Sequence, residues 1–346
     1  MKVLIIRSGA LGDTVFASAA ISAIQQILPD DTLINWLGAP LAHSLFEHDP
    51  RIQHVYSIKH KKIPILFNSD KKRIISDSLS APYDLIINLE NSPYFVSLMK
   101  KINAEHKVGQ PYTEGPVEQN NEHAVDAMLR IVELGLAKLK PNCNLKQSAP
   151  TLIGTDFAPL QKKFNLTKPY IVLHPGNSHV GRSNPINYRA WPSSHWQVLA
   201  KNLAETYKET HQVILIGSPE EKLLVDVIEK EAADKELLNL CGKTTISELI
   251  TLIENAAGII TTDTGPSHIA SAVNTPVFAI IGPNDYRQTG PYSHAGNYVE
   301  IISLALPCSP CLPDGSIKQC TNNICMQELQ PQLVMQKISK HLDKSK

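Results

Sequence analysis

The chain has 346 residues, 42% of them apolar and 19% charged, with 33 lysines and arginines set against 33 aspartates and glutamates. That length exceeds one small core and points to two domains, while the apolar share excludes an acidic disordered chain. A net charge of zero excludes a globally basic nucleic-acid wrapper, so no nucleic-acid partner is expected.

In chain order, the first apolar run is Val3 to Ile6, ending at Arg7. It is shorter than the ~7–15-residue core of a signal peptide, and no stretch reaches the ~18 apolar residues of a membrane span. The expectation is a cytoplasmic protein that at most touches a membrane from outside. The run reads as a strand; after Ser8-Gly9-Ala10-Leu11-Gly12-Asp13, residues Val15, Ala19, Ile21, Ile24 and Ile27 recur at helical spacing up to Pro29. Strands are expected again at 33–37, 54–58 and 85–89. A stretch rich in Pro, Lys and Asn, 138–168, precedes a second series: strand 170–173, helix 194–207, strand 213–216, helices 220–232 and 247–255, strand 258–262, helix 267–273 and strand 277–281. An amphipathic helix over 329–342 closes the chain. Alternating strands and helices predict an α/β protein with parallel sheets, read as two Rossmann-like domains facing across a cleft. The boundaries are placed at 1–155 and 156–328, with the final segment, about 329–346, free to pack back on the first domain.

Ligands in such folds collect where strands end. At Ser8–Asp13 the glycines permit close approach and the open amides of a helix start favour an anion. The segment has neither G-x-G-x-x-G nor a Walker lysine. Asp13 reads as a helix-start cap or as a general base aimed into the cleft. His174-Pro175-Gly176-Asn177 ends the first strand of the second half. Gly217-Ser218-Pro219-Glu220-Glu221 ends the next, where a carboxylate accepts from ribose hydroxyls or simply suits a helix start. Cys241-Gly242-Lys243-Thr244-Thr245 is a third such loop. The densest signal is Thr261-Thr262-Asp263-Thr264-Gly265-Pro266-Ser267-His268, small polar residues between a strand and a helix, suited to cradling a diphosphate.

Two local features stand apart. Lys59-His60-Lys61-Lys62 and Lys71-Lys72-Arg73 form a basic run, read as a solvated face or as a landing site for an acidic lipid-linked saccharide or an anionic leaflet. The apolar Ile63-Pro64-Ile65-Leu66-Phe67 between them could dip into the interface but is too short to anchor there. Cys308, Cys311, Cys320 and Cys325 read as a structural zinc or iron knuckle with an imperfect second spacing, or as reduced thiols in a loop.

The block Asp263-Thr264-Gly265-Pro266-Ser267-His268-Ile269-Ala270, followed by Thr275-Pro276-Val277 and Gly282-Pro283, resembles the signature of glycosyltransferase family 9, the lipopolysaccharide heptosyltransferases. Arg7 with Gly12-Asp13, His174-Pro175-Gly176 and Arg189-Ala190-Trp191-Pro192 fit the same family in the same order, so the likeness runs from residue 3 to about residue 325. The resemblance implies a GT-B fold whose N-terminal half binds the sugar acceptor and whose C-terminal half binds an ADP-sugar. It implies inverting transfer with Asp13 as base, no cofactor for catalysis, and a peripheral place at the membrane. On that pattern Gly9, Gly12, Lys59, Lys61, Lys62, Lys71, Lys72 and Arg73 serve the acceptor. His174, Gly176, Asn177, Arg189, Gly217, Glu221, Thr244 and the run from Asp263 to His268 serve the donor. Thr264, Gly265 and neighbouring amides would hold the diphosphate with Arg189 as a nearby cation, and Glu221 would meet the ribose. His268 is either a diphosphate donor or a polar packing residue. The alternatives are a GT-B transferase or epimerase using another nucleotide sugar, and a catalytically silent nucleotide-sugar-binding protein.

Overall fold

The computed structural model describes residues 1–59, 62–117, 122–145, 148–177, 187–231 and 237–343. The chain divides into two compact units, Met1–Ile153 and Gly154–Lys346. The division falls inside the stretch expected as a linker, two residues before the boundary expected from the sequence.

The first unit runs β1 (Lys2–Ile6), α1 (Leu11–Ala17), α2 (Ala19–Ile27), β2 (Leu33–Gly38), α3 (Pro40–Phe46), β3 (Ile52–Ser57), α4 (Ser69–Ser80), β4 (Tyr83–Asn88), α5 (Pro93–Met99), β5 (Ala104–Val108) and α6 (Ala124–Leu139). Its five strands lie in the order β3-β2-β1-β4-β5, every pair parallel. The continuous apolar sequence of β1 is what a strand covered on both faces requires, and Val3 through Ile6 are fully buried. Leu4 and Ile6 join Leu37, Ile74, Ile86 and Leu98 in one core, while α6 covers β4 and β5 and packs on α2.

The second unit runs α7 (Phe157–Phe164), β6 (Tyr170–His174), α8 (Ser193–Tyr207), β7 (Gln212–Leu215), α9 (Lys222–Glu231), β8 (Leu237–Asn239), α10 (Ile246–Glu254), β9 (Gly258–Thr262), α11 (Gly265–Ala272), β10 (Val277–Ile280), α12 (Tyr286–Thr289), β11 (Val299–Ile302), α13 (Ile324–Gln327) and α14 (Pro331–Leu342). Its six strands order as β11-β10-β9-β6-β7-β8, again all parallel. The last helix is grouped with the second unit. Val334, Ile338 and Leu342 repeat at i, i+4, i+8 and bury that stripe with Leu203 and Tyr207 of α8. Trp191 sets the approach to α8: its ring meets Trp196 edge-on at 4.9 Å, and its Nε1–H donates to the Leu329 carbonyl at 2.8 Å.

Each sheet has one place where the strand order reverses, between β1 and β4 in the first and between β6 and β9 in the second. There the loops leaving neighbouring strands part in opposite directions and leave a crevice at the carboxyl ends, the usual ligand position in open parallel sheets. The loops after β1, β6 and β9 singled out in the sequence lie at these two reversals, whereas the loop over 241–245 and the basic run follow edge strands.

Candidate functional site

At the first reversal, the loop leaving β1 turns back on itself through Asp13. This residue is the third of α1, and its Oδ2 accepts from the Ala10 N–H at 3.1 Å, so it does serve the helix start. Its Oδ1 accepts from Arg7 Nη2 at 2.9 Å, and the side chain remains 43% exposed. Arg7 is pinned in turn by donating Nη1 to the Leu89 carbonyl beyond β4 at 2.7 Å. Gly9 is required by contact: a Cβ there would meet the Asp13 Cβ at 2.6 Å. Gly12 lies partly exposed in the first turn of α1.

Glu90 completes this arrangement, and sequence reasoning missed it. Its buried carboxylate accepts from the Ser8 N–H at 2.9 Å and stands 3.9 Å from Arg7. Asn88 buttresses it by accepting from the Glu90 N–H and donating to the Gln110 carbonyl. The signal was the polar run Asn88-Leu89-Glu90-Asn91 at a strand end, which gains meaning only once β4 is known to lie beside β1. An ion pair as open as Arg7–Asp13 contributes about 0–1 kcal/mol of stability. Its effect is therefore orientational: the carboxylate is held in place with one side open to solvent.

At the second reversal the groups are buried. His174 ends β6 opposite Thr261 of β9. Its Nε2 lies 3.4 Å from Glu221 Oε2, and its Nδ1 lies 3.1 Å from Thr261 Oγ1 and 3.2 Å from Thr264 Oγ1. His174 thus lies between the Glu221 carboxylate, to which its Nε2–H donates, and two threonine hydroxyls. Burial alone would raise the Glu221 carboxyl. The hydrogen bond and charge of His174, with the Ser218 contacts, outweigh that and hold it below the ordinary 4.5. The Ser218 N–H donates to Glu221 at 2.7 Å. Gly176 and Gly217 make the room: a Cβ on Gly176 would overlap the Glu221 carboxylate, and one on Gly217 would stand 3.2 Å from it. Glu221 thus joins the loops after β6 and β7, and its neighbour Glu220 is the one exposed to solvent.

The start of α11 offers fewer amides than its sequence suggests. Pro266 has no N–H, and the Ser267 N–H is taken by the Thr264 carbonyl at 3.0 Å. The Gly265 N–H, at the first helical position, has no acceptor within the helix. Asp263 is buried; it accepts from Asn284 Nδ2 in the loop after β10, and its Oδ1 lies 3.7 Å from His268 Nε2. Asn284 was not anticipated, although Gly282-Pro283-Asn284-Asp285 is another polar run at a strand end. Asn177 is buried and accepts from Asn187 Nδ2 at 2.8 Å. Arg189 is partly exposed, and the structure gives its guanidinium no hydrogen bond or ion pair among the described residues. Thr244 is partly exposed beside Thr245, which caps α10, and is not joined to the His174 network.

The basic run is less uniform than its sequence. Lys71, expected at the surface, is buried, because Lys71, Ile74 and Ser78 share the inner face of α4. Its Nζ donates to the Ile63 carbonyl at 2.7 Å, and burial pushes its ammonium below the ordinary 10.5. Lys59, Lys62 and Lys72 are exposed. Arg73 is exposed too and lies 3.8 Å from Asp77; Lys61 lies outside the described residues. Of the clustered thiols, Cys308 is exposed, Cys311 and Cys320 are partly exposed and Cys325 is buried, all unbridged. Burial first, and the neighbouring thiols second, push Cys325 up to about 11. Among the described residues no group of three or more His, Cys, Asp or Glu side chains is arranged to hold a metal ion.

Two Rossmann-like units, each a parallel sheet with polar loops at its strand reversal, give the chain the GT-B fold of glycosyltransferases. Residues 73–322 match the model of glycosyltransferase family 9 (heptosyltransferase), and the chain belongs to that family. A lipooligosaccharide heptosyltransferase 2 from Campylobacter jejuni is 26% identical over 98% of this chain and 99% of its own length. Among solved structures, a glycosyl transferase family 9 protein from Veillonella parvula superposes with a TM-score of 0.79 at 16% identity, covering 99% of this chain and 97% of that one. The ADP-heptose lipopolysaccharide heptosyltransferase II of Escherichia coli superposes at 0.75 and 20% identity, covering 100% and 99%. Among the described residues, no helix is long and apolar enough to cross a membrane.

Proposed function

We propose that this chain transfers a heptose from ADP-heptose to an acidic, lipid-linked saccharide of the lipopolysaccharide inner core, with inversion at the anomeric carbon. The observation that carries the reading is Asp13, a fixed yet half-open carboxylate at a strand reversal in a family 9 chain. The names of its relatives support heptose as the sugar, and that of the Escherichia coli structure supports ADP as the carrier.

In this mechanism an acceptor hydroxyl oxygen attacks the anomeric carbon as Asp13 removes its proton. The carbon–oxygen bond to ADP breaks on the opposite face, and ADP departs with the bonding electrons. Arg7 keeps the carboxylate oriented through this step. Arg189 and the Gly265 N–H meet the growing negative charge on the diphosphate, the electrostatic help such a departure needs. The His174–Glu221–Thr264 network fixes the loops around the nucleotide, and because His174 and the Ser218 N–H both meet Oε2, Glu221 would accept from the ribose through Oε1. Lys59, Lys62, Lys72 and Arg73 form a landing site for the anionic groups of the lipid-linked acceptor or of the leaflet that carries it, at the cytoplasmic face of the inner membrane. No cofactor enters the mechanism.

A panel of ADP-, UDP- and GDP-sugars tests the donor, because a ligand that binds the native state raises its melting temperature. ADP-sugars should stabilise selectively; stabilisation by UDP-sugars alone overturns the reading. Transfer from ADP-heptose to heptose-deficient core, followed by NMR of the new linkage, tests acceptor and stereochemistry. Elemental analysis of the purified protein tests the cysteine loop separately: one zinc or iron per chain would mean that the thiols regroup around a metal.

A further inference from the structure

Between β3 and α4 the first unit carries an apolar point on a firm base. Ile65–Phe67 form a single 3-10 turn. Leu66 is 68% and Phe67 76% exposed, and Ile63 is exposed beside them. The base is held from three sides. Ile65 packs on the core, Asn68 caps α4 by accepting from the Lys71 N–H at 3.1 Å, and the inward-turned Lys71 ammonium donates to the Ile63 carbonyl at 2.7 Å. One short segment therefore sends Ile65 inward and three large apolar side chains outward. Such a cluster, unlike a single stray leucine, marks a surface that meets something.

What surrounds the point narrows its partner. Lys59 and Lys62 precede it, and Lys72 and Arg73 follow on the first turns of α4, all exposed. Lys59, Lys62 and Lys72 have no ion pair among the described residues. Asp70 is the one acidic residue between positions 59 and 73. Apolar side chains ringed by long cationic stems suit an anionic bilayer: ammonium groups reach the headgroup phosphates while the rings and methyls sit deeper.

We propose that Ile63, Leu66 and Phe67 form a wedge that enters the headgroup layer of an anionic phospholipid bilayer, with Lys59, Lys62 and Lys72 on the lipid phosphates around it. This rests on the reading that the acceptor is lipid-linked and deepens it by separating a membrane contact from the saccharide contact. Neither the wedge nor the lysines alone would hold the protein, and the pair gives reversible binding.

The test is sedimentation of the full chain with large unilamellar vesicles of phosphatidylcholine, alone or mixed with phosphatidylglycerol. Wild type should partition onto the anionic vesicles, less so at high salt. L66D/F67D should lower that partition on the order of tenfold, while transferring heptose to a soluble, delipidated acceptor as wild type does. K62Q/K72Q should lower binding to anionic vesicles and flatten its salt dependence. Phe67→Trp, a mild change at an exposed position, should show a blue-shifted emission on anionic vesicles. The proposal is overturned if wild type stays in the supernatant, if L66D/F67D partitions equally, or if that variant loses transfer to the soluble acceptor to the same degree. Vesicle binding without any heptose transfer would refute the enzymatic reading and leave the wedge standing. Transfer without vesicle binding would do the reverse.

Discussion

The two strand reversals are built from opposite materials. The first holds ions near water: Arg7 lies between Asp13 and Glu90, and Asp13 keeps a solvent-facing side. The second holds an imidazole, two carboxylates and threonine hydroxyls almost wholly out of solvent. A group that must accept a proton during reaction needs an open face, whereas groups that position a ligand gain from being fixed beforehand. On the proposed function the contrast fits chemistry in the first unit and binding in the second, and it predicts which property each substitution damages.

The largest effect should follow Asp13→Asn. Amide and carboxylate are nearly isosteric, but an amide has one acceptor oxygen, so one of the Arg7 and Ala10 contacts is given up together with the base. Turnover should fall about 10²- to 10⁴-fold. Stability should move by less than ~1 kcal/mol, because the lost pair is open to solvent. Single-turnover kinetics beside a thermal melt and ADP titration separate these quantities. Normal turnover would remove Asp13 from its role and erase the contrast.

His174→Leu should behave in the opposite way, lowering stability by about 2–3 kcal/mol, the loss expected when a buried charged group forfeits a hydrogen bond, and weakening ADP binding with it. The pH dependence gives a second measure. The folded Glu221 carboxyl lies below the ordinary 4.5, so its contribution is present above that value and is lost as pH falls through the folded pKa. Melting temperatures of wild type should drop between about pH 5 and pH 3, and Glu221→Gln should show a shallower drop over that window. Parallel curves would mean that the His174–Glu221 contact contributes nothing.

How much of this could be read from the sequence depended on where each element lies in its sheet. Central strands announce themselves, since Val3–Ile6 and Gly258–Thr262 are covered on both faces and can afford no charge. The three strands that were not anticipated, β5, β8 and β11, are all edges. Ala104-Glu105-His106-Lys107-Val108 carries the charges that edge strands use against mispairing, and these hide the apolar signal. The loops at the reversals were legible because they interrupt apolar strands with glycine and small polar residues. Glu90 and Asn284 were not, since their partners lie 82 and 21 residues away and meet only through the strand order. Lys71 misled for the same reason: helical phase, not residue type, turned it inward.

Arg7→Lys sharpens the contrast at intermediate size. The guanidinium spans the Leu89 carbonyl and Asp13 at once, and a single ammonium cannot hold two acceptors in that fork. Turnover should fall roughly tenfold as the carboxylate loses its orientation, with donor KM unchanged. A raised donor KM at constant kcat would mean that Arg7 belongs to binding after all.

The smallest effect concerns what the second reversal lacks. Its network is committed to internal hydrogen bonds, and the start of α11 offers the Gly265 N–H as its open donor. A diphosphate carries more charge than one amide can meet, and on the proposed function Arg189 supplies a cation. Because this guanidinium is partly exposed, solvent and salt screen it, and Arg189→Gln should weaken ADP binding only about three- to tenfold at low salt, with the difference shrinking as salt rises. Arg189→Lys keeps the charge without the fork and should fall between the two. Titrations of ADP against adenosine decide the matter, because adenosine binding should not respond to either change. If Arg189→Gln binds ADP as wild type does at every salt concentration, the diphosphate is held without a cation from this loop.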